Sequence, residues 1–299
     1  MDFFNRNKFI IIRTEPPNGC DGFPHFAHVM EYFYFAISII LNYPRHIILL
    51  YEPYQYYHSY YVNEFIRKMK LLLKDRFLLI NNLTQLPNAY EKIYTFQHNK
   101  HIIKDGFIHY DTKTRHIDDY YKWFIYNNSN IMRDLFLPNI NNTKNSIAII
   151  NRKLTRKFTN INQLVSTIKS NIDIPIKTYY FEDESFDNQI SIFKNNNIII
   201  APHGAALTNI PFSPDNAIII ECCHDEWHPY YYFPGLSFST NKYHTILCNT
   251  PSVFPAWYSP DYQQHNNKKL DITADIDKIL KIINIYINNE FKEKKCYLF

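Results

Sequence analysis

The sequence predicts an α/β protein made of two Rossmann-like halves. Three observations predict it. Short runs rich in Ile and Leu, bounded by turn residues, read as buried strands of a parallel sheet. Stretches with helical spacing lie between those runs, and alternating strands and helices argue for a parallel α/β layer. A polar, Pro-containing break at residues 138–146 has no periodicity, and after it the alternation restarts. The 299 residues suffice for two domains of ordinary size, and 46% hydrophobic against 20% charged residues is a balance that supports a real core.

Taken in order, residues 9–13 (FIIIR) form the first predicted strand, ended by Pro16, Pro17, Asn18 and Gly19. Residues 24–41 are apolar on every face and read as a buried helix stopped by Pro44. Strands follow at 46–51 and 77–80, with a further one at 92–96, and a helix at 61–73 alternates apolar and basic residues. Residues 111–137 read as mostly helical. Beyond the break come a strand at 147–150, a helix at 162–169, a strand at 176–181 and a helix at 186–194. Strands at 198–201 and 217–222 complete that half. Residues 273–291 carry an apolar stripe at Ile276, Ile279, Leu280, Ile283 and Ile287, the mark of an amphipathic helix, with Thr273 or Asp271 available as its cap. The expected domains are residues 1–140 and 146–272, with 273–299 as a C-terminal helix packing across or near their junction.

Composition narrows the partners. Lys and Arg number 32 against 28 Asp and Glu, a formal charge of +4, and the longest basic cluster is the tail trio Lys292, Lys294 and Lys295. No concentrated basic stripe marks a nucleic-acid binder, whereas a small positive balance suits an anionic small molecule. Five cysteines, an odd number without a CxxC pair, exclude a disulfide framework and a thiolate zinc site, so no metal is expected. The N-terminus lacks the apolar core of a signal peptide. Residues 32–41 are too short for a span, which needs about 20 apolar residues. The expectation is a soluble, unanchored chain in a cytosol-like compartment. Its wealth of Asn, Ile, Lys and aromatics suits an AT-rich genome such as that of a large virus or a protist.

The stretch NIIIAPHGAALTN (residues 197–209) joins a buried strand to small residues and then to a helical turn at Thr208 and Asn209. Ligands of open parallel sheets bind beyond the carboxyl ends of strands. Gly204 and Ala205 allow backbone amides to approach an anion, and a helix N-terminus there favours phosphate. Read alone, His203 and Gly204 fit a simple tight turn as well. Upstream, Arg152, Arg156 and Asn160 follow a strand at four-residue spacing. Arginines there can fork onto a pyrophosphate, although a solvated basic face has the same spacing. Downstream, Glu221 ends the strand AIIIE, where a carboxylate suits ribose hydroxyls or is merely an exposed strand-end acid.

This ordered set resembles glycosyltransferase family 61, which includes plant xylosyl- and arabinosyltransferases and animal O-linked N-acetylglucosaminyltransferases. The resemblance is carried by Arg152, Arg156 and Asn160; by Glu182, Glu184 and Gln189; by APHGAALTN at residues 201–209; and by Glu221. Pro24, His25 and Phe26, followed by the aromatic residues 32–35, match the first half more weakly. Ala201 and Ala206 stand where the family favours glycine, and both are small. The resemblance implies a GT-B fold, two Rossmann-like domains facing a cleft, and inverting transfer of a sugar from a UDP-sugar to a hydroxyl of a glycan or glycoprotein. Xylose and N-acetylglucosamine are the sugars it suggests, with no cofactor beyond the donor substrate. It places Arg152 and Arg156 on the diphosphate with His203 and the Gly204 amide nearby. Asn160, Ala205, Thr208 and Asn209 line the same site, and Glu221 sits at ribose. The catalytic base comes from the first domain, where His25, Asp21 and Glu31 are candidates. A relative that binds nucleotide or glycan without turnover shares most of these features.

Two other groups stand out. Cys222 to His228 reads CCHDEWH, with His224 and His228 four apart, but its Glu falls one place later than in a zinc-binding HExxH helix. The aromatic residues at 54–61, together with Trp227 and residues 230–233, can stack on sugar rings or simply reflect composition.

Overall fold

The Ile-rich runs expected as strands are strands, and every strand pairing among the described residues is parallel. The computed structural model describes residues 9–15, 40, 43, 45–51, 60–80, 92–97, 145–223, 232–248, 271–291 and 296–298. The chain divides into two units, Met1–Phe136 and Leu137–Phe299. The helices expected at 24–41 and 111–137 fall almost wholly outside the described residues. No described helix is long and apolar enough to cross a membrane.

The first unit holds a four-stranded sheet. Strands β1 (Phe9–Glu15), β2 (Ile47–Tyr51), β3 (Phe77–Ile80) and β4 (Lys92–Gln97) lie in the order β3-β2-β1-β4. Helix α1 (Tyr60–Leu73) crosses from β2 to β3 and buries Ile66 and Met69 three residues apart, on one face. Arg76 ties the turn after α1 back to the start of β2, donating from Nε to the His46 carbonyl and from Nη2 to the Tyr43 carbonyl.

The second unit holds a six-stranded sheet. Its strands are β5 (Ile147–Asn151), β6 (Ile176–Tyr180), β7 (Ile198–Pro202), β8 (Ile218–Cys222), β9 (Tyr243–Leu247) and β10 (Cys296–Leu298). They lie in the order β10-β9-β8-β7-β5-β6. The helices are α2 (Ile161–Asn171), α3 (Phe186–Lys194), α4 (Tyr232–Ser239) and α5 (Ile276–Ile287).

Ile147, Ile198 and Ile218 are in register on one sheet face, two residues before Ile149, Ile200 and Ile220. These six join Leu164 and Ile168 of α2 and Ile279, Ile282 and Ile283 of α5 in one core. The intervening Ala148, Ile150, Ile199 and Ile219 point to the other face and are equally buried. A sheet covered on both faces needs continuous apolar strands, which is why these runs do not alternate with polar residues.

Four features differ from expectation. Asp275, rather than Thr273 or Asp271, caps α5, its side chain accepting from the Lys278 amide at 3.1 Å. Asp271 instead accepts from the Lys157 amide, and Thr273 meets Thr159 hydroxyl to hydroxyl. The strand β9 and the helix α4 were not anticipated, nor was β10 at the sheet edge, beyond the basic tail.

Candidate active site

The winding of the second sheet reverses between β5 and β7. From β5 the chain moves outward to β6, then returns to β7 on the other side and continues through β8, β9 and β10. At such a switch point the loops after the two strands part, leaving a crevice at their carboxyl ends where ligands of open α/β sheets bind. Here one loop begins with Arg152 after Asn151, and the other begins with His203 and Gly204 after Pro202.

The first loop is clamped along its length. Asn151, 3% exposed at the end of β5, spans it by accepting from the Phe158 amide at 2.8 Å. Glu182 accepts from the Lys153 amide at 3.1 Å, and the Lys153 ammonium pairs with Asp183. At the far end the Thr159 amide donates to the Ile272 carbonyl, and the Asn160 side chain clasps Ala274, donating from Nδ2 to its carbonyl and accepting at Oδ1 from its amide, each at 2.9 Å. The short helix after β6 and the segment before α5 therefore fix where the arginines stand. Arg156 adopts a φ of 57°, the left-handed region, which costs a non-glycine residue about 1 kcal/mol or more. A loop this tied down can hold that conformation.

Between the two loops the fit is close. A methyl group built at Gly204 would stand 2.7 Å from Nη1 of Arg152, inside van der Waals contact. The Gly204 backbone is extended, with φ 168°, so the need for glycine is one of space alone. Burial pulls the Arg152 guanidinium below its usual range, with Glu182 acting in the other direction. A 3-10 helix, Ala205–Phe212, starts after Gly204, and its first amides have no partners within the helix.

Behind the loops lies a buried polar chain. Glu221, at the end of β8, is 0% exposed. One carboxylate oxygen pairs with Nδ1 of His203; the other meets Nε2 of His244 at 2.8 Å. Nδ1 of His244 in turn lies 2.8 Å from the Ser237 hydroxyl. Cys223 adds a weak thiol contact of 3.8 Å to Glu221. Nδ1 of His203, the carboxylate and this sulfur lie within 4.8 Å of one another, a spacing that their hydrogen bonds account for. The Phe233 ring of α4 packs on the His203 ring at 5.0 Å.

Burial alone would raise the Glu221 carboxyl, but the charge and hydrogen bond of His203, with those of His244, hold it at about 2. Burial lowers His203. Glu221 pulls it upward, and the guanidinium groups of Arg156 and Arg152 push it further down. That electrostatic reach puts both arginines in the field of His203. The thiols of Cys222 and Cys223 are pushed up by burial and stay protonated.

Of the residues singled out from sequence, Arg152, Arg156, His203 and Gly204 gather at the switch point, with Ala205 partly exposed beside them. Asn160 turns its amide to Ala274. Thr208 and Asn209 are fully buried, and the Asn209 amide donates to Gln189 and to the Ala206 carbonyl. Glu221 offers no exposed oxygen, both being occupied by imidazoles. His25, Asp21 and Glu31 lie outside the described residues, as do His224, Trp227 and His228. Sequence reasoning missed His244 and Ser237, which stand 23 and 16 positions from Glu221 and carry no motif. The one available signal was a histidine inside an apolar stretch, YHTIL.

The family described as Glycosyltransferase 61 matches residues 21–220. The EGF domain-specific O-linked N-acetylglucosamine transferase of Gallus gallus is 37% identical over 75 residues, covering 24% of this chain and 14% of that protein. Those of Canis lupus familiaris and Pan troglodytes are each 39% identical over 75 residues, with the same coverage. The match thus spans about a seventh of these relatives. Since the family match runs through both sheets and includes the arginine loop and the His-Gly turn, the chain belongs to glycosyltransferase family 61.

Proposed function

We propose that the crevice between the loops after β5 and β7 binds the diphosphate of a UDP-sugar, and that the protein transfers the sugar to a hydroxyl of a glycan or glycoprotein. The observation that carries this reading is the close approach of the Gly204 backbone to the Arg152 guanidinium at the switch point, where an added side chain would meet Nη1. Arg152 and Arg156 neutralise the diphosphate with forked, charge-assisted hydrogen bonds. The Gly204 and Ala205 amides at the head of the 3-10 helix add donors of the kind phosphate prefers. His203 stands beside them.

In the reaction the acceptor oxygen attacks the anomeric carbon from the face opposite the diphosphate. The bond to the diphosphate breaks, UDP departs with its electron pair, and the configuration inverts. The hydroxyl proton passes to a base of the first unit, for which His25, Asp21 and Glu31 are the candidates. The two Rossmann-like units accord with a GT-B organisation, with the donor on the second unit and the acceptor on the first. The arginines serve the departing charge without a divalent ion. N-Acetylglucosamine is the sugar named for the relatives, and xylose is the second one the family suggests.

A test combines thermal unfolding with product release. A donor that binds stabilises the protein by ~2.7 kcal/mol at about 100 times its Kd. UDP-N-acetylglucosamine or UDP-xylose is expected to raise the melting temperature and to release UDP in the presence of EDTA. Stabilisation without UDP release, whatever acceptor glycan is added, would mark a non-catalytic binder. Neither effect with any UDP-sugar would overturn the reading.

A further inference from the structure

Gln189 of α3 belongs to the motif set, yet its side-chain amide is spent on the protein itself. Nε2 donates to the carbonyls of Phe181 at 3.1 Å and Glu184 at 3.2 Å, at the two ends of the 3-10 turn Phe181–Asp183. Oε1 accepts from Nδ2 of Asn209 at 3.3 Å, and that Nδ2 also donates to the Ala206 carbonyl at 3.1 Å. A backbone carbonyl only accepts, so Phe181, Glu184 and Ala206 fix which end of each side-chain amide is nitrogen. Gln189 is therefore the middle of a strap whose members are each defined by their partners.

Each end of the strap meets a wall of the crevice. The turn that Gln189 grips carries Glu182, which accepts from the Lys153 amide at 3.1 Å, and Lys153 follows Arg152 directly. At the other end, Ala206 lies in the first turn of the 3-10 helix after Gly204, where the Leu207 amide donates to the Gly204 carbonyl at 3.0 Å. One side chain of α3 thus links the arginine loop to the turn that Arg152 approaches. Holding this link has a cost. Asn209 is fully buried, and among the described residues its Oδ1 has no hydrogen-bond partner. An unpaired buried acceptor is destabilising. Leucine, of similar size, would pack there without an orphaned side-chain oxygen, so the strap rather than core packing accounts for the asparagine.

We propose that Gln189 is a positioning residue. Together with Asn209 it sets the spacing between Arg152 and the Gly204 turn, so that one diphosphate can meet both. It acts through the two loops and not by touching the ligand. This inference rests on the diphosphate reading given above.

Calorimetric titration of the full chain with UDP, beside thermal unfolding, tests the role. Gln189→Met keeps the length of the side chain and removes all three of its hydrogen bonds. The expected result is a folded protein whose UDP affinity is lower by about 10-fold or more, since a misplacement of ~1 Å caused from a distance can cost that much. Asn209→Leu cuts the strap at its other joint without adding charge, is expected to act in the same direction, and serves where Gln189→Met does not fold. The double variant is expected to lose no more affinity than the weaker single one, because one strap is cut twice. Asn196→Ala controls for stability alone: its Nδ2 donates to the Ile192 carbonyl at 2.8 Å at the far end of the same helix. That change is expected to lower the melting temperature and leave UDP affinity at the wild-type value. A folded strap variant that binds UDP as tightly as the wild type, or that loses no more affinity than Asn196→Ala, would overturn the positioning role and leave the diphosphate site standing. Losses that add in the double variant would overturn it as well. No UDP binding by the wild type would overturn both readings.

Discussion

A side chain added at Gly204 would meet Arg152 Nη1 at 2.7 Å, and the obstacle is the far end of a flexible side chain rather than backbone. Gly204→Ala should therefore cost little stability, because the extended backbone there suits any residue and the guanidinium can swing aside. The displaced guanidinium loses its hold on the ligand. A charge-assisted hydrogen bond is worth about 1.5–3 kcal/mol, so UDP affinity is expected to fall by roughly 10- to 100-fold. Thermal melting beside calorimetry separates the two effects.

Acid stability should report on Glu221. Its carboxyl is held at about 2 in the folded protein against 4.5 for the free group. A lowered folded value contributes stability that is present above the unfolded value and lost as pH falls through the folded one. The window is thus from about pH 4.5 down to about pH 2, and the contribution at neutral pH is on the order of 3 kcal/mol. Glu221→Gln removes this term. Its unfolding free energy should fall less steeply across that window than that of the wild type, measured by urea denaturation at a series of pH values.

Asn160 was expected at the ligand, and the structure gives it a different task. Its two hydrogen bonds to the Ala274 backbone tie the arginine loop to the segment that leads into α5, 114 residues away. Asn160→Ala should destabilise the protein by about 1–3 kcal/mol, counting two bonds at about 0.5–1.5 kcal/mol each. A midpoint in urea equal to that of the wild type would contradict the clasp.

Helix α5 completes the core of the second unit rather than decorating it. Ile283 is fully buried among Ile279, Ile282 and the strand isoleucines. Ile283→Ala is expected to cost about 2–5 kcal/mol through lost burial and the cavity left behind. A loss below 1 kcal/mol would show that the helix is dispensable to that core.

Strands β5, β7 and β8 were legible because burial on both faces demands unbroken apolar runs, and Ile-rich segments such as IAII and AIIIE have few other uses. The stripe of α5 was legible for the same reason at helical period. Strand β9 was not, because His244 and Thr245 are polar residues whose burial depends on partners elsewhere: Glu221 for one, the Ile219 carbonyl for the other. Helix α4 contains Pro234 and Gly235 and is apolar without a stripe, so no period announced it. The site divided along the same line. Residues local to one loop, Arg152 and Arg156 or His203 and Gly204, could be picked by spacing. The role of Glu221 could not, because a strand-end carboxylate looks the same in sequence whether it faces a ribose or two imidazoles.

The central claim is that the switch point of the second sheet holds a diphosphate between Arg152, Arg156 and Gly204. It is tested most directly by UDP binding to Arg156→Gly. Glycine adopts the left-handed backbone of this position without strain, so the loop keeps its course while the guanidinium is lost. The expected result is a folded protein whose UDP affinity has dropped by roughly 100-fold or more in calorimetry. An affinity equal to that of the wild type would contradict the account.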